Sequence, residues 1–262
     1  MKLITSRNNP LYREIRQLAS NARARRKTTR TILDGVHLCQ AYLQYVGNPL
    51  FCVVNESSKN QPEIAEIYEE CHSRQVSCIF LRDFLYDDVS QVDEGVGVLF
   101  LIEPPVYSAP ARMIQTAVLL DRIQDPGNMG SILRSASAAG ISEVFCSEGS
   151  AAVWSPRVLR AGMGAHFMIR IYENADLARL ADDSGVPVVA TVPDAEKSIY
   201  DVDLKRPVAW LFGHEGQGIS DVLQSKAGMT ANIPHAGKQD SLNVAACAAI
   251  CFFEQLRQKR AG

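Results

Sequence analysis

Apolar residues in this chain fall into short runs separated by stretches with helical spacing. Runs over 31–33, 50–54, 77–81 and 96–102 are too short for helices and read as strands. Between them, 10–22, 36–45 and 61–73 read as helices. Leu11, Ile15 and Leu18 recur at i, i+4 and i+7 with Arg13 and Arg16 on the other face, and Asn8-Asn9 supplies a cap. Residues 23–30 are expected to leave their charge exposed. From residue 116 the alternation is clearer. Strands are expected over 117–120, 143–146, 168–172, 187–191, 207–212 and 230–233, and helices over 130–139, 156–163, 176–183, 220–227 and 242–257. Strand and helix alternating in this way predict an α/β fold with a parallel, doubly wound sheet and ligands at the carboxyl ends of its strands.

Pro104, Pro105 and Pro110 fall within seven residues, where neither a ladder nor a helix can be sustained. This divides the chain into a first domain over 1–105, a linker over 106–115 and a second domain over 116–262. With 47% hydrophobic residues in 262, the chain can bury a large core. It has no apolar run of membrane-spanning length and no secretory signal at its start, so a cytoplasmic location is expected. Its seven cysteines are scattered without Cys-x-x-Cys pairs and read as reduced thiols, not as a zinc site or a disulfide framework.

The net charge of −2 argues against a polyanionic partner until its distribution is considered. Residues 1–30 hold nine basic side chains against Glu14 alone. Such a basic arm in a near-neutral chain is the footprint of nucleic-acid binding, with Arg7, Arg23, Arg25, Arg26 and Lys27 as candidates, although a merely solubilising helix face has the same look.

Three stretches carry candidate chemistry. Asp121-Arg122-Ile123-Gln124-Asp125-Pro126-Gly127-Asn128-Met129-Gly130 through Arg134 follows the strand at 117–120 as a polar turn and a helix. Gly213-His214-Glu215-Gly216-Gln217-Gly218 follows the strand at 207–212, with one acid among three glycines that permit close backbone approach. Ile233-Pro234-His235-Ala236-Gly237-Lys238-Gln239-Asp240-Ser241-Leu242-Asn243 opens the last helix, where Ser241 and Asn243 suit its N-terminus. None has the Gly-x-Gly-x-x-Gly spacing and downstream acid of a dinucleotide-binding turn, which disfavours a Rossmann-type oxidoreductase.

In this order and spacing, the three stretches resemble the signature motifs of the SpoU (TrmH-like, SPOUT superfamily) RNA ribose 2′-O-methyltransferases, over roughly residues 116–259. The resemblance implies a trefoil-knotted parallel-sheet methyltransferase domain, preceded by a smaller α/β domain similar to the L30e-like substrate-binding domain. It implies S-adenosylmethionine as cofactor, lined by Thr191, Leu211, Gly213, Ile233 and Leu242. It further implies structured RNA as partner, rRNA in preference to tRNA, and a homodimer through the second domain.

The positions matching the family's functional residues are Asn128, Arg134, Glu215, Ser241 and Asn243. An arginine is a demanding general base because its pKa above about 12 leaves almost no neutral form. Arg134 is therefore expected to orient the substrate or polarise the nucleophile, with Ser241 or a water relaying the proton; its helix position points it back toward the turn bearing Asn128. Each residue also has a purely structural reading: Asn128 shaping its turn, Glu215 capping a helix, Arg134 a surface cation. A non-catalytic RNA-binding protein on the same fold is the competing function.

Overall fold

A computed structural model describes residues 2–90, 97–237 and 241–261. The chain divides into two compact units, 1–105 with 154–167, and 106–153 with 168–262. The helix expected at 156–163 is therefore part of the first unit, an excursion no linker signal marks.

In the first unit, in chain order, are β1 (Lys2–Ile4), α1 (Pro10–Ser20), α2 (Ala22–Thr28), β2 (Thr31–Asp34), α3 (Val36–Tyr45), β3 (Phe51–Asn55), α4 (Pro62–Ser73), β4 (Ser77–Leu81), α5 (Asp83–Asp87) and β5 (Val98–Ile102). The five strands form one sheet in the order β1-β4-β3-β5-β2, with β5 antiparallel to both neighbours. Strand alternation gives each face its core: Leu33, Cys52, Val54 and Phe80 pack with α3 and α4, while Ile32, Val53 and Ile79 pack with α1. The excursion adds Leu159 to the first of these cores, and Thr31 Oγ1 donates to the Trp154 carbonyl at 2.8 Å.

One expectation changes here. Residues 22–28 are a helix, because Asn21 Oδ1 accepts from the N–H groups of Arg23 and Ala24 and so caps it. The short β1 and α5 had no periodic signal at all.

The second unit contains β6 (Ala117–Leu120), α6 (Pro126–Ala138) and β7 (Glu143–Cys146); α7 (Pro156–Gly162) is the excursion's helix. Then follow β8 (Arg170–Tyr172), α8 (Leu177–Asp182), β9 (Val188–Thr191), β10 (Ala209–Phe212), α9 (Asp221–Gln224), β11 (Met229–Ala231) and α10 (Val244–Ala261). Its six strands run parallel in the order β11-β9-β10-β6-β7-β8. Ala117, Leu119, Ala209 and Leu211 turn toward the core shared with α8 and α9, which leaves Val118, Leu120, Trp210 and Phe212 for the opposite face. There Trp210 Nε1 donates to Gln255 Oε1 of α10 at 3.0 Å and Phe212 meets Phe252 edge-on, so α10 is fixed against β10. Truncating Phe212 would cost about 3–5 kcal/mol. Because β9, β10, β11 and β6 are neighbours, the loops after them converge at one edge of the sheet. All three motifs lie there.

Candidate active site

The first motif is more helical than its composition suggests. Pro126 occupies the first turn of α6, where its missing N–H costs nothing, and Asp125 Oδ1 accepts from Asn128 N at 2.8 Å. Asn128 is thus a helix residue held with its side chain free to reach outward. The second motif folds back on itself: Gly218 N donates to His214 O at 2.8 Å, and His214 Nδ1 accepts from Gly216 N at 2.9 Å and Gln217 N at 3.1 Å. Gly213 is required there, since a Cβ would lie 2.1 Å from Ile219 N and 2.2 Å from Gly218 C. The third motif ends on Asn243, whose Oδ1 accepts from Ala245 N at 2.9 Å and Ala246 N at 3.2 Å and so caps α10. Of its loop, Lys238, Gln239 and Asp240 lie outside the described residues.

One hydrogen-bonded chain links all three motifs. Asn243 Nδ2 donates to Asn128 Oδ1 at 2.9 Å, and Asn128 Nδ2 donates to Glu215 Oε1 at 3.1 Å. Glu215 also accepts from the backbone N–H groups of Gln124 at 3.2 Å and Asp125 at 3.0 Å. Partial burial pushes the Glu215 carboxyl up, but the backbone and Asn128 donors outweigh it and hold the group below the ordinary glutamate value. Glu215 is therefore an anion at neutral pH that fixes the first motif against the second.

This chain borders a cavity of about 450 Å³, lined by Asn128, Thr191, Gly213, Glu215, Ile233, Ser241, Leu242 and Asn243, together with Ile219, Val244 and other residues. Two of the sequence candidates stand apart. Leu211 is fully buried with its side chain in the core, and only its carbonyl serves the region, accepting from Thr191 Oγ1 at 3.4 Å. Arg134 is exposed, is not among the cavity's lining residues and makes no hydrogen bond or ion pair among the described residues. The side-chain amide of Asn128 is bonded to Glu215 and Asn243, and no hydrogen bond joins it to Arg134 among the described residues.

Sequence reasoning missed His214, His235 and Cys247, which also line the cavity. For His214 a signal existed: a hydrogen-bond acceptor directly before a glycine-rich turn is placed to cap that turn's N–H groups.

The basic candidates separate as well. Arg25 donates to the Leu18 carbonyl at 2.6 Å, closing the end of α1, and burial lowers its pKa. Arg7 pairs with Asp88 at 2.8 Å and lies over the Phe84 ring. Arg23, Arg26 and Lys27 stay exposed on α2.

The SpoU rRNA methylase family matches residues 115–253, which include every element of this cavity. The chain belongs to that family. An uncharacterized tRNA/rRNA methyltransferase of Synechocystis is 30% identical over 98% of this chain and 94% of its own. The 23S rRNA (guanosine(2553)-2′-O)-methyltransferase RlmP of Bacillus subtilis is 26% identical over 97% of this chain and 98% of its own. Among solved structures, the AdoMet-bound rRNA methyltransferase from Sinorhizobium meliloti superposes with a TM-score of 0.84 at 30% identity, covering 98% of this chain and 97% of that one. For a SpoU family member, the convergence of the three motifs on one cavity makes this edge of the sheet the place to look for chemistry.

Proposed function

We propose that this chain is an S-adenosylmethionine-dependent methyltransferase that methylates a ribose 2′-hydroxyl in structured ribosomal RNA. The single observation that carries the reading is the Asn243–Asn128–Glu215 chain at the edge of a cavity of about 450 Å³, within the size range of small-ligand sites. The cavity suits the cofactor. Its walls combine Ile219, Ile233, Leu242 and Val244 with backbone that Gly213 brings close, which fits an adenosyl group. It suits a dinucleotide poorly, because the N–H groups of Gln124 and Asp125 that could hold a pyrophosphate are taken by the Glu215 carboxylate.

When bound, the cofactor supplies an electrophilic methyl group on its sulfonium. The chain's own residues then have to present one hydroxyl in line and accept its proton. Glu215 holds Asn128 in a fixed rotamer, and Asn128 in turn holds Asn243, so the first and third motifs face the substrate as one rigid wall. Ser241 lines the same cavity and is assigned to relaying the proton. Thr191, Gly213, Ile233 and Leu242 are assigned to the cofactor, with Leu211 contributing its carbonyl. Arg134 is assigned to the substrate's backbone outside the cavity.

The family's trefoil knot, its L30e-like reading of the first unit and a cytoplasmic location complete the proposal. No helix among the described residues is long and apolar enough to cross a membrane. Arg7, Arg23, Arg26 and Lys27 are assigned to RNA affinity, and Arg25 to holding the helix that presents them. A homodimer through the second unit is supported by Phe253, 46% exposed on α10 beside Leu256 and Ala261. A mass near 28.8 kDa by light scattering at micromolar concentration would contradict it.

Calorimetry with S-adenosylmethionine and with NAD tests the cofactor. Saturable binding of the first and none of the second is expected; the reverse would return the chain to the oxidoreductase class. Methyl transfer to unmethylated rRNA then separates the enzyme from a non-catalytic RNA-binding protein.

A further inference from the structure

Arg122 stands two residues past β6 with a left-handed backbone, φ 55°, a conformation that glycine or asparagine adopts with less strain. An arginine kept at such a position points to its side chain. That side chain is braced on two sides. Nε donates to Asp121 Oδ1 at 3.2 Å and Nη1 donates to Gln217 Oε1 of the second motif at 3.1 Å. Asp121 is itself buried and anchored, its other oxygen accepting from Ser220 N at 2.8 Å, and the Arg122 backbone N–H donates to Ser147 Oγ at 2.9 Å.

These bonds use two of the five guanidinium donors, so both hydrogens on Nη2 are without a partner among the described residues. The side chain nevertheless stays 36% exposed. A surface tie between loops would not need a strained, doubly braced cation with an open donor edge. An anion-binding fork would, because orienting the planar group in advance removes the entropy cost of doing so on binding.

We propose that Arg122 binds a backbone phosphate of the RNA strand entering the site. The inference rests on the RNA methyltransferase reading. Gln217, which braces Arg122, is two residues from Glu215 in the same turn, so a phosphate held there is fixed relative to the Glu215–Asn128–Asn243 wall. Register of the strand, and hence which ribose meets the cavity, would follow from this contact.

The test uses the full-length protein and an unmethylated ribosomal RNA transcript. Wild type is first checked for S-adenosylmethionine binding and methyl transfer; failure there would sink the underlying reading and this inference with it. Arg122→Asn and Arg122→Gly both relieve the φ strain and should melt within a few degrees of wild type with unchanged S-adenosylmethionine affinity. RNA affinity at 0.15 M salt should fall about fivefold, and the slope of log affinity against log salt should become shallower by about one. Arg122→Lys should recover the slope but not full turnover, since a point charge cannot replace the fork. With wild type active, unchanged RNA affinity and salt slope in the Asn and Gly variants would overturn the assignment while leaving the enzyme reading intact. Lost S-adenosylmethionine affinity would also overturn it, moving Arg122 to the cofactor.

Discussion

Helix α2 and the cluster formed by Asn128, Glu215 and Asn243 are both rich in residues that suit RNA chemistry, but they are built on opposite principles. On α2, Arg23, Arg26 and Lys27 are exposed neighbours that form no ion pair among the described residues. In the cluster each side chain is fixed by the next, across separations of 87 residues between Asn128 and Glu215 and 115 between Asn128 and Asn243. Independent charges give additive, salt-screened affinity. An interlocked network gives geometry, and geometry fails all at once.

The largest effects should therefore come from the network. Asn128→Ala, Glu215→Gln and Asn243→Ala should each cut single-turnover methylation by about a hundredfold or more, and any two together should cost little beyond the worse single change. Simple multiplication of the two losses would break the comparison, because it would make the residues independent.

Arg134→Ala should lower turnover by about a hundredfold while S-adenosylmethionine affinity stays within a fewfold, with poor rescue by lysine. Arg134 lies outside the cavity in the single chain, so near-normal turnover, or lost cofactor binding in a folded protein, would refute its substrate role.

On α2 the expected effects are smaller and divide by contact. Arg23→Ala, Arg26→Ala and Lys27→Ala should each weaken RNA binding a fewfold and make its salt dependence shallower. Arg25→Ala should instead lower the thermal midpoint, since it strips a donor from the Leu18 carbonyl at the end of α1. Equal behaviour of all four would erase the distinction.

The smallest effect concerns pH. The folded value of Glu215 is depressed, so its contribution to stability is complete above the ordinary glutamate pKa of about 4.3 and is lost as pH falls through the lower folded value. Glu215→Gln should flatten the acid limb of the stability profile slightly, as read by thermal melts at stepped pH.

Much of the architecture was legible because it rests on local periodicity. Strands at 117–120 and 143–146, and the helix at 36–45, have the bounds expected from pattern alone. The start of α6 was not, since Pro126-Gly127-Asn128 has the composition of a turn and becomes helix only through the Asp125 cap. The placement of 154–167 with the first unit was not legible either, because long-range packing of Leu159 and the Trp154 carbonyl leaves no periodic trace.

In the site, the resemblance brought Asn128, Glu215 and Asn243 into view as separate positions; that they bond to one another is a fact of three dimensions. Leu211 illustrates the reverse limit. Strand alternation alone puts its side chain on the same face as Ala209, in the apolar core shared with α8 and α9.

We propose that this cavity and its polar wall methylate ribose in ribosomal RNA. The most direct measurement is mass mapping of 2′-O-methylated nucleotides in ribosomal RNA from a strain lacking the protein, then from that strain carrying either wild type or Asn243→Ala. One 2′-O-methyl mark absent in the deletion, restored by wild type and not by the variant, is predicted. An unchanged set of ribose methylations, or equal restoration by Asn243→Ala, would contradict the account.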